Sequence, residues 1–398
     1  MIQKGFKFRI YPNKEQEAFL MQSFGCARFV FNWGLSVKNE EYAKTKKSSN
    51  YYELNKKLPE LKKEHEWLGD VYSQSIQSSL RNLDNAFTRF FKKQGQYPRF
   101  KSKNKNDFNF QIPQGVKINK DENKIYIPKV KQGIKIKLHR AFEGNIKTVT
   151  ISKNPSGQYF ATLLVESNEN IKETEKFDAD TTIGIDLGIK DFAVISDGAR
   201  ISNPSNLRKK LAKLKKIQKK HSRKQKGSNN RNKSRIKIAK VHLKVKNQRQ
   251  DFLHKLTYSL THKNQVGTIC IEDLAVSNMI KNHKLALSIS DVGWGEFRRQ
   301  LEYKCNWYGK RLIVINRFAP SSKMCSNCGQ IKTDLTLADR EWTCDCGVTH
   351  DRDLLASKNI KNFGIEQYRR SYGNFNACGE ILAQADSKKQ EAQGLILG

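Results

Sequence analysis

TTIGIDLGIKDFAVISDG, from Thr181 to Gly198, is the stretch that decides the fold of this protein. Ile183 and Ile185 are β-branched and apolar, which is typical of a strand packed on both faces. Gly184 and Gly188 leave room for another backbone or a ligand to approach closely. The stretch therefore predicts a buried strand, a tight turn and a second strand.

Asp186 places a carboxylate inside the first of these strands. A buried charge costs several kcal/mol unless it is compensated, so a metal ion or a buried partner is implied. The alternative is an edge-strand aspartate that faces water. The pattern is shared by ribonuclease-H-like nucleases and by ATPases of the sugar-kinase and actin type, so it indicates a fold before it indicates a reaction.

The charge of the chain points to a polyanionic partner. Its 398 residues include 74 Lys and Arg against 39 Asp and Glu, a formal charge of +35. This length allows two or three domains with cores of their own. A membrane surface is the rival partner, but the basic residues are spread along the chain rather than gathered on one amphipathic helix. The composition therefore predicts binding to nucleic acid.

The ends of the chain and its cysteines predict a reducing, cytoplasmic location. The first residues, MIQKGFKFRIYPNKEQ, lack the apolar core of a signal peptide, and no apolar run reaches transmembrane length. Four of the eight cysteines are clustered, which favours a metal site over disulfides. The scattered ones are expected to be buried thiols: Cys26, Cys270, Cys305 and Cys378.

The N-terminal half changes its hydrophobic period twice. Residues 5–11 alternate as a strand, and Asn13 with Gln16 predicts a capped helix after it. Apolar residues then recur at helical spacing as far as Phe90, which predicts a helical bundle. From Val116 to Glu166 the period is two, which predicts a small antiparallel barrel that the first strand completes.

Two basic segments are candidate nucleic-acid contacts. From Arg208 to Arg249 there are 19 Lys or Arg and no acid, on a predicted helix pair that begins at Asn203-Pro204. Between Phe91 and Phe110 aromatics alternate with lysines, which suits base stacking and phosphate contact, or else a solvated loop. The candidate contacts are Lys209, Lys210, Lys213, Lys216, Lys220, Arg223, Lys237, Lys240, Lys244, Arg249, Arg99, Lys101 and Lys103.

Two further segments place carboxylates where Asp186 could meet them. Glu272 and Asp273 end the apolar strand VGTICIEDL, and HDRDLLASKNI begins a helix with Asp351 and Asp353. One of these two aspartates is expected to cap the helix and the other to point inward. Three carboxylates so placed can hold two Mg²⁺ ions about 4 Å apart for phosphodiester hydrolysis.

Four cysteines have the spacing of a structural zinc site. Cys325 and Cys328 form one knuckle and, after 15 residues, Cys344 and Cys346 form a second. Four thiolates on two tight turns predict one closed, tetrahedral zinc ion that stabilises rather than catalyses. The second knuckle is CxC where CxxC is usual, and His350 is the alternative ligand.

These motifs together resemble one family. In chain order they are YPRFKSK, GIDLGIKDFAV, NQRQDFLHKL, IEDL, RFAPSSKMCSNCG and REWTCDCGVTHDRDLLASKNI. This series resembles that of the TnpB (OrfB) proteins of insertion sequences, relatives of the type V CRISPR effectors. The resemblance runs from the strand at Phe6 to about Ile360. It implies a RuvC-like nuclease guided by an RNA from the element's end, which cuts double-stranded DNA beside a short adjacent motif.

The resemblance also implies an architecture. The expected fold is a multidomain α/β protein: an RNase-H-like (RuvC) domain at 178–366 with an inserted Cys₄ zinc ribbon at 320–349, a helical recognition domain at 13–99, and a wedge β-barrel at 100–177 to which residues 1–12 add the first strand. The basic helix pair is expected at 203–262. Residues 367–398 are expected to form a polar, partly disordered tail.

Carried over by motif, the catalytic and Mg²⁺-binding acids are Asp186, Glu272 and Asp353. Asp353 is preferred to Asp351 because the family's acid stands in an Asp-x-Asn-Ala context, although Leu355 here replaces the Asn. The other hypotheses are a silent DNA-binding regulator, a strand-transfer transposase, and a sugar-kinase-type ATPase, for which a second phosphate loop is not evident. Neither a membrane nor a small-molecule substrate is expected as a partner.

Overall fold

The structure is a computed structural model that describes residues 2–103, 108–167, 169–263, 265–336 and 339–372. It divides into two compact units. The first unit comprises Met1–Asn170 and Lys224–Lys240, and the second comprises Ile171–Arg223 and Val241–Gly398. Cys378 and most of the predicted tail lie outside the described residues.

Helices form the first layer of the first unit. They are α1 (Lys14–Thr45), α2 (Tyr51–Lys56), α3 (Leu58–Glu64), a 3₁₀ turn (Glu66–Gly69) and α4 (Ser73–Phe91). The predicted capping box is confirmed, since Asn13 Oδ1 accepts from the Gln16 amide and Gln16 Oε1 accepts from the Asn13 amide. The second half of α1 and helices α2 to α4 bury one apolar core, which includes Val30, Leu80 and Leu83.

A seven-stranded antiparallel sheet forms the second layer of this unit. Its strands are β1 (Ile2–Tyr11), β2 (Asn109–Ile112), β3 (Lys117–Asn119), β4 (Lys124–Tyr126), β5 (Ile134–Lys137), β6 (Asn145–Lys153) and β7 (Tyr159–Ser167). They lie in the order β2-β6-β7-β1-β5-β4-β3. As predicted, the N-terminal strand joins this sheet, between β7 and β5. Leu20, Phe24 and Ala27 of α1 pack into the sheet's core.

The sheet differs from the predicted barrel in one respect. Within the described residues its end strands β2 and β3 have no ladder of hydrogen bonds between them, so the sheet is curled but open. Both end strands are short, at four and three residues, and short edges present few unpaired backbone groups.

The second unit is built on a mixed five-stranded sheet. Its strands are β8 (Thr182–Leu187), β9 (Asp191–Ile195), β10 (Arg200–Ser202), β11 (Thr268–Glu272) and β12 (Arg311–Ile315), in the order β10-β9-β8-β11-β12. The opening stretch forms the antiparallel pair β8 and β9, as predicted. Strands β8, β11 and β12 are parallel, so their carboxyl ends meet at one edge of the sheet.

Helices surround this sheet, and a small hairpin lies before the last helix. The helices are α5 (Asn206–Ser222), α6 (Asn229–Tyr258) with a π-helical turn (Ser259–Lys263), α7 (Val276–Met279), α8 (Ala286–Val292), α9 (Trp294–Tyr308) and α10 (Arg352–Tyr372). The hairpin pairs β13 (Glu341–Thr343) with β14 (Thr349–Asp351). Residues up to Lys240 of α6 group with the first unit and later ones with the second.

Two predicted boundaries were wrong by a few residues. Helix α5 begins at Asn206 rather than at Pro204, because the Asn203 side chain binds the Ile189 carbonyl and the Ser205 amide instead of capping a helix. Helix α10 continues to Tyr372, six residues into the predicted tail. The Tyr368 ring stacks on Phe177 at 4.0 Å, and this contact gives the last turns an apolar partner.

Candidate active site and metal centre

Three sequence-predicted acids lie in one cleft of the second unit. Asp186 is on β8, Glu272 ends the neighbouring strand β11, and Asp353 lies in the first turn of α10. The cleft has a volume of about 500 Å³, and all three side chains line it. We call it the acid cleft. The parallel pairing of β8 with β11 explains why two of the acids meet at one sheet edge.

Glycines bring α10 close enough to the sheet to deliver the third acid. A Cβ atom on Gly184 of β8 would lie 2.0 Å from the Ser357 carbonyl oxygen of α10. A Cβ atom on Gly364 of α10 would lie 2.2 Å from the Cys270 sulfur of β11. The absence of side chains at these positions therefore allows backbone contact between the helix and both strands.

The electrostatics of the cleft are those of crowded, buried carboxylates. Burial, followed by the charges of Glu272 and Asp353, raises the pKa of Asp186 to about 7, with the nearby Arg352 opposing the rise. Burial also raises the pKa of Glu272, whose Oε1 accepts a hydrogen bond from the Ser321 hydroxyl that opposes the rise. This set of carboxylate oxygens, which repel one another when charged, fits hard divalent cations.

The structure separates the two aspartates at the start of α10. Asp351 Oδ1 accepts a hydrogen bond from the Leu354 amide at 2.9 Å, and its Oδ2 binds Arg200 at 2.7 Å. Asp351 therefore caps the helix and does not line the cleft, whereas Asp353 does. Asp353 lies 3.5 Å from the Arg340 guanidinium. One aspartate caps and the other points inward, as the sequence predicted.

Sequence reasoning missed most of the other cleft residues. Cations line the cleft at Lys190, Arg317, Arg340 and Arg352. Asp273, adjacent to Glu272, is bound by Arg298 and Arg317 instead of facing the acids. Trp294 is buried in the cleft wall, and its indole N–H has no hydrogen-bond partner among the described residues. Isolated arginines carry no spacing pattern, so only the fold reveals them.

The four predicted zinc ligands also come together. Their sulfur atoms lie within 4.8 Å of one another, with Cys325 and Cys346 3.7 Å apart and Cys328 and Cys344 3.5 Å apart. Four thiolates around one zinc at about 2.3 Å would be about 3.8 Å apart. We call this group the thiol cluster. In the described part of the chain it is the one such group of three or more His, Cys, Asp or Glu side chains.

His350, the alternative ligand, has a different place. Its Nε2 lies 3.1 Å from the Cys325 sulfur, and its ring packs on Trp342 with centroids 4.9 Å apart. The ring therefore supports Cys325 from outside the set of four sulfurs. Leu355 packs in the same apolar core beside Trp342. The residue that departs from the family pattern thus faces the thiol cluster.

One buried side chain links the two sites. Asn359 of α10 donates to the carbonyl oxygens of Ser321 and Met324, each at 2.7 Å. Ser321 binds Glu272 in the acid cleft, and Met324 precedes Cys325 of the thiol cluster. Asn359 therefore fixes the segment that runs from one site to the other.

Most of the predicted nucleic-acid contacts are solvent-facing cations. On α5, the loop after it and α6, the exposed ones are Lys209, Lys213, Lys216, Lys220, Arg223, Lys237, Lys240 and Lys244, with Lys210 half-buried. In the earlier stretch Arg99 and Lys103 are exposed, and Lys101 lies over the Phe31 ring at 3.9 Å. Positive charge is therefore available along both segments.

Arg249, one of the predicted nucleic-acid contacts, has a carboxylate partner within the protein. It pairs at 3.0 Å with Asp291, a buried carboxylate that also accepts from the Leu207 amide at 2.8 Å. Asp291 thus caps α5 and neutralises Arg249 within the second unit. The sequence could not reveal this pair, because the two residues are 42 positions apart.

Comparison with solved structures supports the class of fold. The chain aligns with the protein in the "Cryo-EM structure of the Cas12f1-sgRNA-target DNA complex" over 91% of its own length and 99% of that chain, with a TM-score of 0.57 and 15% identity. A Cas12f1-like TNB domain model matches residues 294–360, which include the thiol cluster. The fold is therefore a multidomain α/β fold similar to that of Cas12 effectors.

Sequence comparison then shows the family. The OrfB model of the IS605 group, described as a probable transposase, matches residues 162–283. A helix-turn-helix model matches residues 1–47, where the structure has β1 and one continuous helix, α1.

Two relatives match almost end to end, and both are provisionally named RNA-guided DNA endonucleases. The one from Streptomyces pristinaespiralis is 39% identical over 100% of this chain and 98% of its own. The one from Escherichia coli K12, InsQ, is 33% identical over 99% of this chain and 98% of its own. The chain belongs to the TnpB (OrfB) family.

Proposed function

We propose that this protein is an RNA-guided DNA endonuclease that hydrolyses DNA phosphodiesters with RuvC-like, Mg²⁺-dependent chemistry. The observation that carries the proposal is the meeting of Asp186, Glu272 and Asp353 in one cleft. The full-length likeness to relatives with this name supports the same function. A silent regulator would not need all three acids, and a strand-transfer transposase is the less supported alternative.

The acids would hold two Mg²⁺ ions. When bound, such ions activate water and stabilise the leaving oxygen of a phosphodiester. The chain's own part is to hold the carboxylates: Asp186 is fixed by β8, Ser321 orients Glu272, and the first turn of α10 directs Asp353. The cleft cations supply positive charge for the phosphates on either side of the cleaved bond.

The thiol cluster would hold one structural zinc ion. Its four sulfurs lie within 4.8 Å of one another, and four thiolate ligands would leave no position for substrate. Because Leu355 and Trp342 pack against it, zinc would stabilise the start of α10 and so the position of Asp353. Zinc therefore acts on the reaction only through structure.

The partners would be a guide RNA from the element's end and a double-stranded DNA target with a short adjacent motif. The acid-free basic segment supports phosphate binding, and the helical and curled-sheet layers of the first unit suit the expected recognition and wedge domains. In the described residues no helix is both long and apolar enough to span a membrane. A cytoplasmic location remains a prediction from the sequence.

The test is cleavage by Asp186→Ala with the RNA that copurifies with the protein and a matched DNA duplex. We expect a loss of about 10²-fold or more in rate, because transition-state charge stabilisation is removed. RNA and DNA affinity should stay nearly unchanged, since the basic surfaces are intact. Asp197→Ala, on the exposed turn after β9, is the matched control and should cut normally. Full cleavage by Asp186→Ala would overturn the proposal.

A further inference from the structure

A second cleft lies wholly within the first unit. It has a volume of about 490 Å³ and lies beside the turn that joins β6 to β7. Its walls come from α1, from Lys103 and Phe108, from that turn and from the first turns of α6. The residues that matter here are Met21, Lys103, Phe108, Lys153, Asn154 and Arg235. We call it the hairpin pocket.

The hairpin pocket is positively charged. Lys103, Lys153 and Arg235 line it, and none of the described residues that line it is a carboxylate. Lys103 and Arg235 are exposed and form no ion pair with any residue that the structure describes. Lys153 lies 3.6 Å from the Met21 sulfur and 4.6 Å from the Tyr159 ring centre, both uncharged partners. Three cations without a carboxylate partner among the described residues favour an anion in this concave site.

The pocket also contains an aromatic ring held in place. Phe108 packs edge-on against Phe24, with centroids 5.8 Å apart, and Phe24 is fully buried. The Phe108 carbonyl accepts a hydrogen bond from the Lys153 amide at 3.0 Å. The ring is half-buried and lines the pocket, so it can serve as a platform for a flat group.

The third wall is a rigid turn. Asn154 Oδ1 accepts from the Ser156 amide at 3.1 Å and from the Gln158 amide at 2.9 Å. Gly157 has φ +85°, which other residues rarely adopt. The pocket is therefore largely formed before any ligand binds, and its volume lies within the usual range for ligand sites.

An aromatic ring beside cationic side chains can bind a nucleotide, because the base stacks on the ring and the phosphate pairs with the cations. Bases in a duplex are stacked inside it, so one pocket suits one unpaired nucleotide. We propose that the hairpin pocket binds an unpaired nucleotide of the guide RNA, with Phe108 under its base and Lys153 and Arg235 at its phosphate. Folded RNA offers such nucleotides in loops and bulges, whereas target DNA arrives paired. The inference rests on the proposed function.

The test uses the full-length protein and the RNA that copurifies with it, sequenced and transcribed. Phe108→Leu keeps apolar packing on Phe24 but removes the stacking face, and should raise the Kd for this RNA about fivefold or more. Tyr52→Leu removes an exposed ring of α2, outside the pocket and outside both candidate contact segments, and is the control. Arg235→Gln should weaken binding more than Lys233→Gln, which removes equal charge two residues away.

Chemical probing of the bound RNA locates the nucleotide. We expect one unpaired nucleotide that is protected by wild type and by Tyr52→Leu but becomes reactive with Phe108→Leu. Unchanged protection and affinity with Phe108→Leu would overturn the inference while leaving cleavage, and so the proposed function, intact. A defect confined to DNA binding by the assembled complex would assign the pocket to DNA and contradict the inference. Failure of wild type to bind this RNA would overturn both proposals.

Discussion

The acid cleft and the thiol cluster are both candidate metal sites of the second unit, and they are built in opposite ways. The thiol cluster takes its ligands from two tight knuckles within 22 residues, and its sulfurs lie within 4.8 Å of one another. The acid cleft takes its carboxylates from β8, β11 and α10, which are far apart in the chain, and they line an open volume. A local, closed ligand set suits a structural ion, and a distributed, open set suits a reaction.

The comparison predicts that the two aspartates at the start of α10 behave differently. Asp353→Asn should reduce DNA cleavage about 10²-fold or more, because it removes a carboxylate from the cleft. Asp351→Asn should retain cleavage, since asparagine also caps helices and Asp351 is outside the cleft. Measured cleavage rates and melting temperatures check both. Loss of cutting with Asp351→Asn alone would reverse the assignment.

Zinc removal should lower the melting temperature strongly without changing the carboxylates of the acid cleft. Cys325→Ser replaces a fully buried thiol ligand and should lower both the zinc content, from one per chain, and the melting temperature. Cleavage should fall in proportion to the folded fraction, because zinc acts through α10. Ser326→Ala, in the same knuckle, is the control and should keep its zinc. An intact protein without zinc would contradict the assignment.

Asn359 tests whether the two regions depend on a shared anchor. Asn359→Ala removes the two hydrogen bonds that the Asn359 amide donates to the Ser321 and Met324 carbonyl oxygens. The loss should lower the free energy of unfolding by about 2 to 3 kcal/mol. We expect denaturant unfolding to show this loss together with weaker zinc retention and slower cleavage. A variant that loses only one of the two properties would show that the sites are independent.

The smallest effect is expected from a single cation outside both regions. Lys213→Gln on α5 should lower the magnitude of the salt slope of RNA binding, log Kd against log salt, by about 0.7 to 0.9 if Lys213 neutralises one phosphate. Arg249→Gln should instead lower the melting temperature with little change of slope, because Arg249 pairs with buried Asp291. An unchanged slope with Lys213→Gln would remove that residue from the interface.

Local patterns were predictable wherever neighbours in sequence are neighbours in space. The capping box at Asn13, the hairpin formed by β8 and β9 and the two knuckles of the thiol cluster all follow from short-range spacing. Such features depend on backbone geometry over a few residues and on a period of two or 3.6, which the order of residues expresses directly.

The sequence by itself determined the charge, the order of the motifs and the identity of the acids that could meet. Only the tertiary structure decided that Asp353 enters the cleft while Asp351 caps the helix, that Arg249 is neutralised by Asp291, and that Asn359 joins the two sites. The physical reason is that each of these outcomes depends on which buried group lies opposite in space. Burial and pairing are set by the packing of distant segments, and no local pattern encodes them.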